Sequence, residues 1–329
     1  MLALNLIKVA RFVIQFTRVQ RQFNDKFIDS YLKTFYEQYG KELKQSTLLK
    51  IKKGYCLASP LLSASYTKIY GRGLSEIERE KATLMGIFVP LVDDFTDDNL
   101  LDRESIDRLL FSPSDYNPKT LEEDIVMHIN HFLLENASSA EGYLNTLRKV
   151  IDAQHWSKKQ MERDVPRDEL RQITLEKGGW SLVFWHYIID EIPSANVEKI
   201  LYLMGGIEQM CNDIFDVQKD FEEGIETFAN TCDNYKEFKI KYTLECKEFV
   251  KLARTLPYRR KNLNFFITFN VFIMARGLVA LQMLQKLQMK LGGGVLPIGQ
   301  IDRKKMICDM EKPLNIFRMI KFAYMLQLR

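Results

Sequence analysis

Apolar residues recur at intervals of three and four along most of this chain, which is the spacing of one face of an α-helix. The stretches with this pattern are 25–53, 75–99, 118–136, 140–164, 195–224, 233–255 and 258–291. Strand-like alternation bounded by hairpin turns does not occur in the sequence. The pattern therefore predicts an all-α protein of about ten or more helices, arranged as a single domain over residues 1–329.

Glycine- and proline-containing segments mark the predicted helix ends. They are YGRG at 70–73, FSPSDYNP at 111–118, EKGGW at 176–180, EIPSAN at 191–196 and LGGGVLPIG at 291–299. Ser75 is the expected N-cap of the helix that follows the first break, with Glu76 and Glu78 in its first turn. The stretch 178–189, GGWSLVFWHYII, is apolar on most faces and predicts an inner helix.

Composition is that of an ordinary globular protein, with 46% apolar and 27% charged residues. A net charge of +4 is too small to indicate nucleic acid as a partner. The five cysteines are scattered, with no C-x-x-C pair, and this favours free thiols in a reducing, cytoplasmic compartment.

The first 24 residues contain four basic residues and no acidic one, with apolar residues between them at helical spacing. The basic residues are Lys8, Arg11, Arg18 and Arg21. Two interpretations fit this N-terminal helix. It packs against the body of the protein, or it makes peripheral contact with a membrane, because a basic amphipathic helix suits anionic lipid. No stretch reaches the roughly 18 uninterrupted apolar residues of a spanning helix.

The segment LVDDFTDDNL, residues 91–100, places four aspartates within six positions at the end of an apolar helix. At 100° per residue, Asp93, Asp94 and Asp97 share one face, whereas Asp98 points partly aside. The C-terminal end of a helix disfavours negative charge, and the carboxylates also repel one another. Divalent cations would offset both effects.

A second acidic stripe lies in NDIFDVQKDFEEG, residues 212–224. Asn212, Asp216 and Asp220 follow one another at intervals of four and share a helix face with Lys219. A ligand set made only of oxygen suits Mg²⁺ or Mn²⁺ and not zinc. Either segment alone also fits a solvated helix face. Together, in an all-α chain, they predict a paired metal site that holds a polyphosphate.

These two segments resemble the metal-binding motifs of class I isoprenoid synthases, the terpene synthase-like superfamily. DDFTD at 93–97 resembles the aspartate-rich motif, and NDIFDVQKD at 212–220 resembles the second motif, with Asp216 replacing Ser or Thr and Asp220 replacing Glu. The resemblance implies a helical bundle around a central cavity that binds three Mg²⁺ ions with diphosphate, Mn²⁺ being the alternative. It also implies a lyase that ionises a prenyl diphosphate and cyclises or eliminates it to a terpene. A monomer or homodimer is expected.

Two alternatives remain open. The segments 74–98 and 216–224 also resemble squalene and phytoene synthases, which couple two prenyl diphosphates head to head, although Pro90 and Ile225 stand where that pattern has arginine. The other alternative is a non-catalytic helical protein that binds prenyl diphosphates. Chain elongation fits less well, because its Arg–Arg pair after the first motif is represented only by Arg103.

The resemblance also implies residues that contact the diphosphate and residues that line the pocket. The first set is Arg171 (with Arg167 as the alternative), Lys177, Gly178 at a helix break, Lys219, and Arg318, Lys321 and Tyr324 on a final helix. The aromatic pocket set is Phe88, Phe95, Trp180, Phe184, Trp185, Phe215 and Phe269. A surface charge or an ordinary core position is the alternative for each of them.

Overall fold

The computed structural model describes residues 2–97 and 99–328, with side chains from residue 5 onward. Helices and connecting turns make up these residues, and no β-strand occurs among them, which confirms the predicted all-α fold. The chain forms two compact units. The N-terminal unit comprises Ile7–His155 and Phe184–Pro193; the C-terminal unit comprises the described residues of Met1–Leu6, Trp156–Val183 and Ser194–Arg329. Three helices continue from one unit into the other. The single domain expected from the sequence stays a prediction.

The N-terminal unit is built on helix α4, which packs against α3 and α6. Its helices are α1 (Leu2–Tyr39), α2 (Gln45–Lys50), α3 (Cys56–Thr67), α4 (Glu76–Asp97), α5 (Arg103–Phe111), α6 (Leu121–Glu135) and α7 (Ala140–Trp156). A π turn, Ile51–Tyr55, joins α2 to α3. Helix α1 packs on the unit through buried amides: Gln20 donates to the Thr83 hydroxyl at 2.9 Å, and Asn24 donates to the Cys56 carbonyl at 2.9 Å.

A capping box fixes the start of α4. The backbone N–H of Glu78 donates to the Ser75 hydroxyl at 3.2 Å, and the Ser75 N–H donates to the Glu78 carboxylate at 2.8 Å. Burial alone would raise the pKa of Glu78, but hydrogen bonds from Arg72 and from backbone N–H groups lower it to about 2. Ser75 is thus confirmed as the N-cap.

The C-terminal unit is organised around α12, which packs against α9, α11 and α14. Its helices are α8 (Arg167–His186), α9 (Ala195–Phe215), α10 (Val217–Glu222), α11 (Tyr235–Ala253), α12 (Arg260–Lys290), α13 (Arg303–Met306) and α14 (Pro313–Gln327). Within the described residues, α12 alone has the length and mean hydropathy (1.6) of a membrane span, but 72% of its most apolar window is buried inside the protein. That burial is typical of a core helix.

Several predicted helix bounds are wrong. The predicted helix at 25–53 is interrupted where α1 ends, because Gly40 adopts a φ of +62°, which ends the helix. The predicted helix at 140–164 ends at Trp156 and continues as a short 3₁₀ turn, Ser157–Met161. The predicted helix at 195–224 is interrupted at Asp216. The breaks near Gly71 and after Lys290 are confirmed, and glycines there have positive φ.

The predicted helix break at EKGGW is wrong, because α8 continues through it without interruption. The two glycines instead allow α8 and α9 to touch backbone to backbone. A Cβ on Gly178 would lie 2.2 Å from the carbonyl oxygen of Gly205, and a Cβ on Gly205 would lie 2.1 Å from that of Gly178. Gly179 packs in the same way against the Tyr202 ring. Glycine is therefore required here by the helix contact.

Gly178→Ala is expected to lower the free energy of unfolding by about 1–3 kcal/mol, because the added methyl group must push α8 and α9 apart. Thermal unfolding followed by circular dichroism measures the loss. Gly73→Ala is the control, since a Cβ there would meet no atom within 4 Å. Equal unfolding temperatures for the two variants would contradict the close helix contact.

Candidate functional site

The first acidic cluster, Asp93, Asp94 and Asp97, ends α4 in the N-terminal unit. The side chains of Asp93 and Asp94 are half-buried and that of Asp97 is exposed. The predicted orientation of Asp98 lies outside the described residues. The helix thus ends in carboxylates, as the sequence indicates.

Polar groups from other helices contact this cluster. Lys50 Nζ lies 3.6 Å from Asp94 Oδ1, and the Thr47 hydroxyl donates to Asp94 Oδ2 at 3.4 Å. From α7, Gln154 Nε2 donates to Asp97 Oδ1 at 2.8 Å. The carboxylates therefore have partners, but Lys50 supplies one partly exposed positive charge against three negative ones.

The phenol of Tyr55, at the end of the π turn, also faces these aspartates. Burial raises its pKa, and the negative charges of Asp93, Asp94 and Asp97 raise it further. The phenol therefore stays protonated at neutral pH and can donate a hydrogen bond. A π turn is a feature often found at functional sites.

The second acidic cluster lies where α9 passes into α10 in the C-terminal unit. Asn212 is exposed, Asp216 is half-buried at the junction of the two helices, and Asp220 is buried on α10. Lys219 is exposed, with its ammonium 3.7 Å from the Glu223 carboxylate. The cluster thus runs from an exposed amide at Asn212 to a buried carboxylate at Asp220.

Asp213 belongs to this cluster and was not predicted. It is buried, and its two oxygens accept from the Thr174 hydroxyl at 2.8 Å and from Gln209 Nε2 at 2.9 Å. Burial raises its pKa to about 6, although both hydrogen bonds and the charge of Lys177 oppose the rise. On the helical wheel Asp213 lies about 100° from Asn212, outside the stripe of Asn212, Asp216 and Asp220. Its partner Thr174 lies on a different helix, so no local pattern indicated the contact.

Asp220 has the most perturbed carboxyl of the cluster. Burial raises its pKa to about 7, with further upward contributions from Asp213 and Asp216, while Lys219 opposes the shift. Burial also raises the pKa of Asp216. Neighbouring carboxylates that resist ionisation together are the electrostatic environment that a bound cation relieves.

The donors fit Mg²⁺ better than a metal that needs a closed protein cage. In the described part of the chain, no group of three or more His, Cys, Asp or Glu side chains converges as a metal site. Mg²⁺ commonly takes one or two carboxylates and completes its octahedron with water and phosphate oxygens. Asp216 and Asp220, with amide oxygen from Asn212 nearby in sequence, are a donor set of that kind.

The predicted diphosphate-binding arginines are engaged in contacts of their own. Arg171 forms an ion pair with Glu245 of α11. Arg167 donates to the Thr231 carbonyl at 2.5 Å, and its guanidinium lies 4.7 Å from the centre of the Phe228 ring. Lys177, by contrast, is half-buried and lowers the pKa of the neighbouring Asp213. Lys177 is therefore the candidate cation of α8 that faces the acidic cluster.

The remaining predicted contacts lie on α14 and α8. Arg318 donates to the Asn315 side chain at 3.2 Å, while Lys321 and Tyr324 are exposed. Gly178 lies within the α8–α9 contact and not at the predicted helix break.

The predicted aromatic residues form separate groups in the two units. In the N-terminal unit, Phe184 lies with its ring centre 4.9 Å from that of Tyr143 and 6.5 Å from that of Phe88. Other members are Phe95, which is buried, and Trp185, whose indole donates to the Ser59 hydroxyl at 2.9 Å. In the C-terminal unit, Phe269 is buried and Phe215 half-buried, while the half-buried Trp180 packs edge-on against Tyr202 at 4.9 Å.

Comparison with known proteins adds one structural likeness. No family model matches the chain, and no curated protein matches it. Among solved structures, the chain is similar to a geranylgeranyl pyrophosphate synthetase from the archaeon Geoglobus acetivorans, with a TM-score of 0.44 and 16% sequence identity over 80% of this chain and 98% of that chain. At this identity, no residue role is carried from that protein to this one.

The second cluster predicts an unusual pH dependence of stability in metal-free protein. The pKa of Asp220 rises from 3.8 to about 7 on folding, so its contribution to stability is complete below pH 3.8 and is lost as the pH rises through about 7. Asp220→Asn stays neutral. It is therefore expected to exceed the wild type in stability at pH 8 by on the order of 1 kcal/mol, and by much less at pH 5.

Urea unfolding in the presence of a chelator measures this difference at both pH values. Glu222→Gln, an exposed carboxylate on the same helix, is the control and is expected to change stability little at either pH. Adding Mg²⁺ should stabilise the wild type at pH 8 more than Asp220→Asn. An Asp220→Asn variant less stable than wild type at pH 8 without metal contradicts the electrostatic account.

Proposed function

We propose that this protein is a Mg²⁺-dependent enzyme that ionises a prenyl diphosphate, cyclises or eliminates the resulting cation to a terpene, and releases diphosphate. The observation that carries the proposal is the set of neighbouring carboxylates in the C-terminal unit, where the pKa of Asp220 rises to about 7. The acidic end of α4 supplies a second oxygen-only set. Such sets suit hard cations that share their coordination with phosphate oxygens.

In this proposal, each acidic cluster binds Mg²⁺: Asp216 and Asp220 with Asn212 are the ligands in the C-terminal unit, and Asp94 and Asp97 with Asp93 are the ligands in the N-terminal unit. Bound Mg²⁺ supplies positive charge that stabilises a departing diphosphate. Asp213 is assigned a positioning role, because its two oxygens accept hydrogen bonds from Thr174 and Gln209. Its role is to fix the end of α9.

Cationic and hydroxyl groups of the chain complete the proposed diphosphate contacts. Lys177 and Lys219 are the candidate ammonium groups, and Tyr55 is a candidate hydrogen-bond donor because its pKa is raised. Preorganised donors of this kind stabilise negative charge that develops on a leaving group. Arg171 takes this role only if its ion pair with Glu245 opens.

The carbocation formed by ionisation needs an environment without water, and aromatic faces stabilise positive charge. Phe88 and Phe184 in one unit and Trp180 in the other are the proposed aromatic surfaces. Phe184 packs against Tyr143 and Phe88, and Trp180 packs against Tyr202.

A head-to-head synthase of the squalene or phytoene type is the second candidate, and one observation favours it. In the pattern D-V-x-x-D-x-x-x-G at 216–224, the glycine adopts a φ of +73° directly after α10, a conformation that favours glycine. Two positions weigh against this candidate. Pro90 is buried within α4, and Ile225 lies where a second arginine is expected and donates its N–H to the Asp220 carbonyl at 2.8 Å.

The products of incubation with prenyl diphosphates of different chain lengths distinguish the candidates. A terpene of the same carbon number as its single substrate, with one diphosphate released per product, supports the lyase. A product of doubled carbon number supports head-to-head coupling. Binding of the diphosphate with no product from any chain length leaves a non-catalytic binding protein.

Asp94→Ala and Asn212→Ala are each expected to lower Mg²⁺-dependent diphosphate release by about 100-fold or more, because each removes an oxygen that the metal requires. Both positions are at least partly exposed, so far-ultraviolet circular dichroism should remain that of a helical protein. Asp25→Ala, an exposed aspartate on α1, is the control. Full activity in either test variant is incompatible with the proposed site.

We propose a cytoplasmic setting for this protein. All five cysteines are free and buried, which supports a reducing, cytoplasmic compartment. A monomer or homodimer, with no nucleic acid partner, stays a prediction.

A further inference from the structure

Helix α14 is apolar on two opposite sides. Met319, Ala323 and Leu326 are buried, at the i, i+4, i+7 spacing of one helix face. That face packs against the unit, since α14 contacts both α11 and α12. The opposite side carries Leu314, Phe317 and Tyr324, which are exposed, and the exposed Leu328 directly follows the helix. The exposed Lys321 lies on this same side, so the outer side of α14 combines apolar and basic side chains.

The exposed side is extensive. Phe317 and Leu314 are 65% and 58% exposed, and Ile320 and Met325 flank them. A phenylalanine and several aliphatic side chains gathered on one surface helix differ from the isolated apolar residues normal on protein surfaces. Such a patch indicates a surface that is covered by a membrane or by another molecule.

Two basic grooves adjoin α14. Lys236, Lys239 and Lys247 line a groove of about 350 Å³ along α11, together with the exposed Ile240 and Leu244. A second groove, of about 580 Å³, follows the end of α12. Its charged lining residues are Lys286, Lys290, Lys305 and Arg318, with Asp302 as the acidic member.

Side-chain contacts join these features into one surface. Lys239 Nζ lies 5.5 Å from the centre of the Phe322 ring on α14. Lys239 and Lys286 are close enough for their charges to interact, which connects the two grooves. Arg318 belongs to α14 and lines the α12 groove. We call the outer side of α14 and the two grooves the C-terminal face.

We propose that the C-terminal face docks on an anionic phospholipid bilayer, with the apolar side chains of α14 entering the interface and the lysines of α11 and α12 contacting the headgroups. The apolar side chains match the acyl-chain region of such a bilayer, and the lysines and arginine match its anionic headgroups. A second copy of the chain fits less well. A symmetric dimer through this face would bring like-charged lysine grooves towards one another.

From the sequence alone, the candidate for membrane contact is the N-terminal helix. The basic N-terminal helix α1 packs through Gln20 and Asn24, while its apolar residues Ile7, Ile14 and Val19 are exposed. The packing interpretation of that helix is therefore supported, while its contact with lipid stays a prediction. The proposed bilayer contact does not depend on the catalytic proposal.

Flotation of the full-length protein with vesicles tests the inference. Wild type is expected to bind phosphatidylcholine vesicles that contain about 30 mol % phosphatidylglycerol, and to bind pure phosphatidylcholine much more weakly. Binding should fall as salt rises, because the headgroup attraction is screened. Failure to bind the anionic vesicles at low salt would falsify the proposal.

Two double variants locate the contact. Leu314→Ala with Phe317→Ala is expected to weaken binding to anionic vesicles by about tenfold or more, through loss of inserted apolar surface. Lys236→Gln with Lys247→Gln is expected to weaken it by about tenfold, with little effect on pure phosphatidylcholine. All four side chains are exposed, so folding should be retained.

Ile14→Ala with Val19→Ala is the matched control on α1 and is expected to bind like wild type. Loss of binding in this control, with normal binding by the α14 variant, assigns the contact to α1 and overturns the proposal. Self-association that the α14 variant abolishes, without vesicle binding by wild type, shows instead that a second copy covers the C-terminal face.

Discussion

The direct backbone contact between α8 and α9 is the constraint on which the acidic end of the C-terminal unit depends. Without side chains at Gly178 and Gly205, the two helices approach until the backbone of one meets that of the other. This approach places the Thr174 hydroxyl of α8 against Asp213 of α9. The buried charge of Asp213 then contributes to the raised pKa of Asp220. The close packing of these two helices thereby adds to the effect of burial on the pKa of a proposed metal ligand.

The all-α class follows from periodicity, because a repeated three- and four-residue spacing is a local property of the sequence. Ser75 was predicted for the same reason, since a capping box involves residues only three apart. The glycines at 178 and 179 were misinterpreted because the same residue type marks both helix ends and close helix contacts. The two cases are distinguished only by the contact with Gly205 on α9, and the sequence does not show which residues are in contact.

In the candidate site too, features set by neighbouring residues were predictable, whereas contacts between distant residues were not. Asp93, Asp94 and Asp97 lie on one short helical segment, so their shared location was predictable from the helix geometry. Their contacts with Lys50, Tyr55 and Gln154 come from distant parts of the sequence and had no local signal. Asp213 was missed because neither its place on the helical wheel nor any nearby residue indicated its role. Its wheel position pointed away from the stripe, and its partner lies 39 residues earlier in the chain.

The π turn at Ile51–Tyr55 determines the rotational phase of the segment that precedes the first acidic cluster. In an uninterrupted α-helix, Thr47 and Tyr55 would lie about 80° apart around the axis. A π turn contains one residue more than an α turn, which absorbs roughly one 100° step. Thr47 and Tyr55 can therefore both face the aspartates although they are eight positions apart. The turn therefore tolerates the loss of one residue but not the gain of one: a single deletion would leave Thr47 and the phenol seven positions and about 20° apart in a regular α-helix, whereas an insertion would rotate the phenol away by about one 100° step.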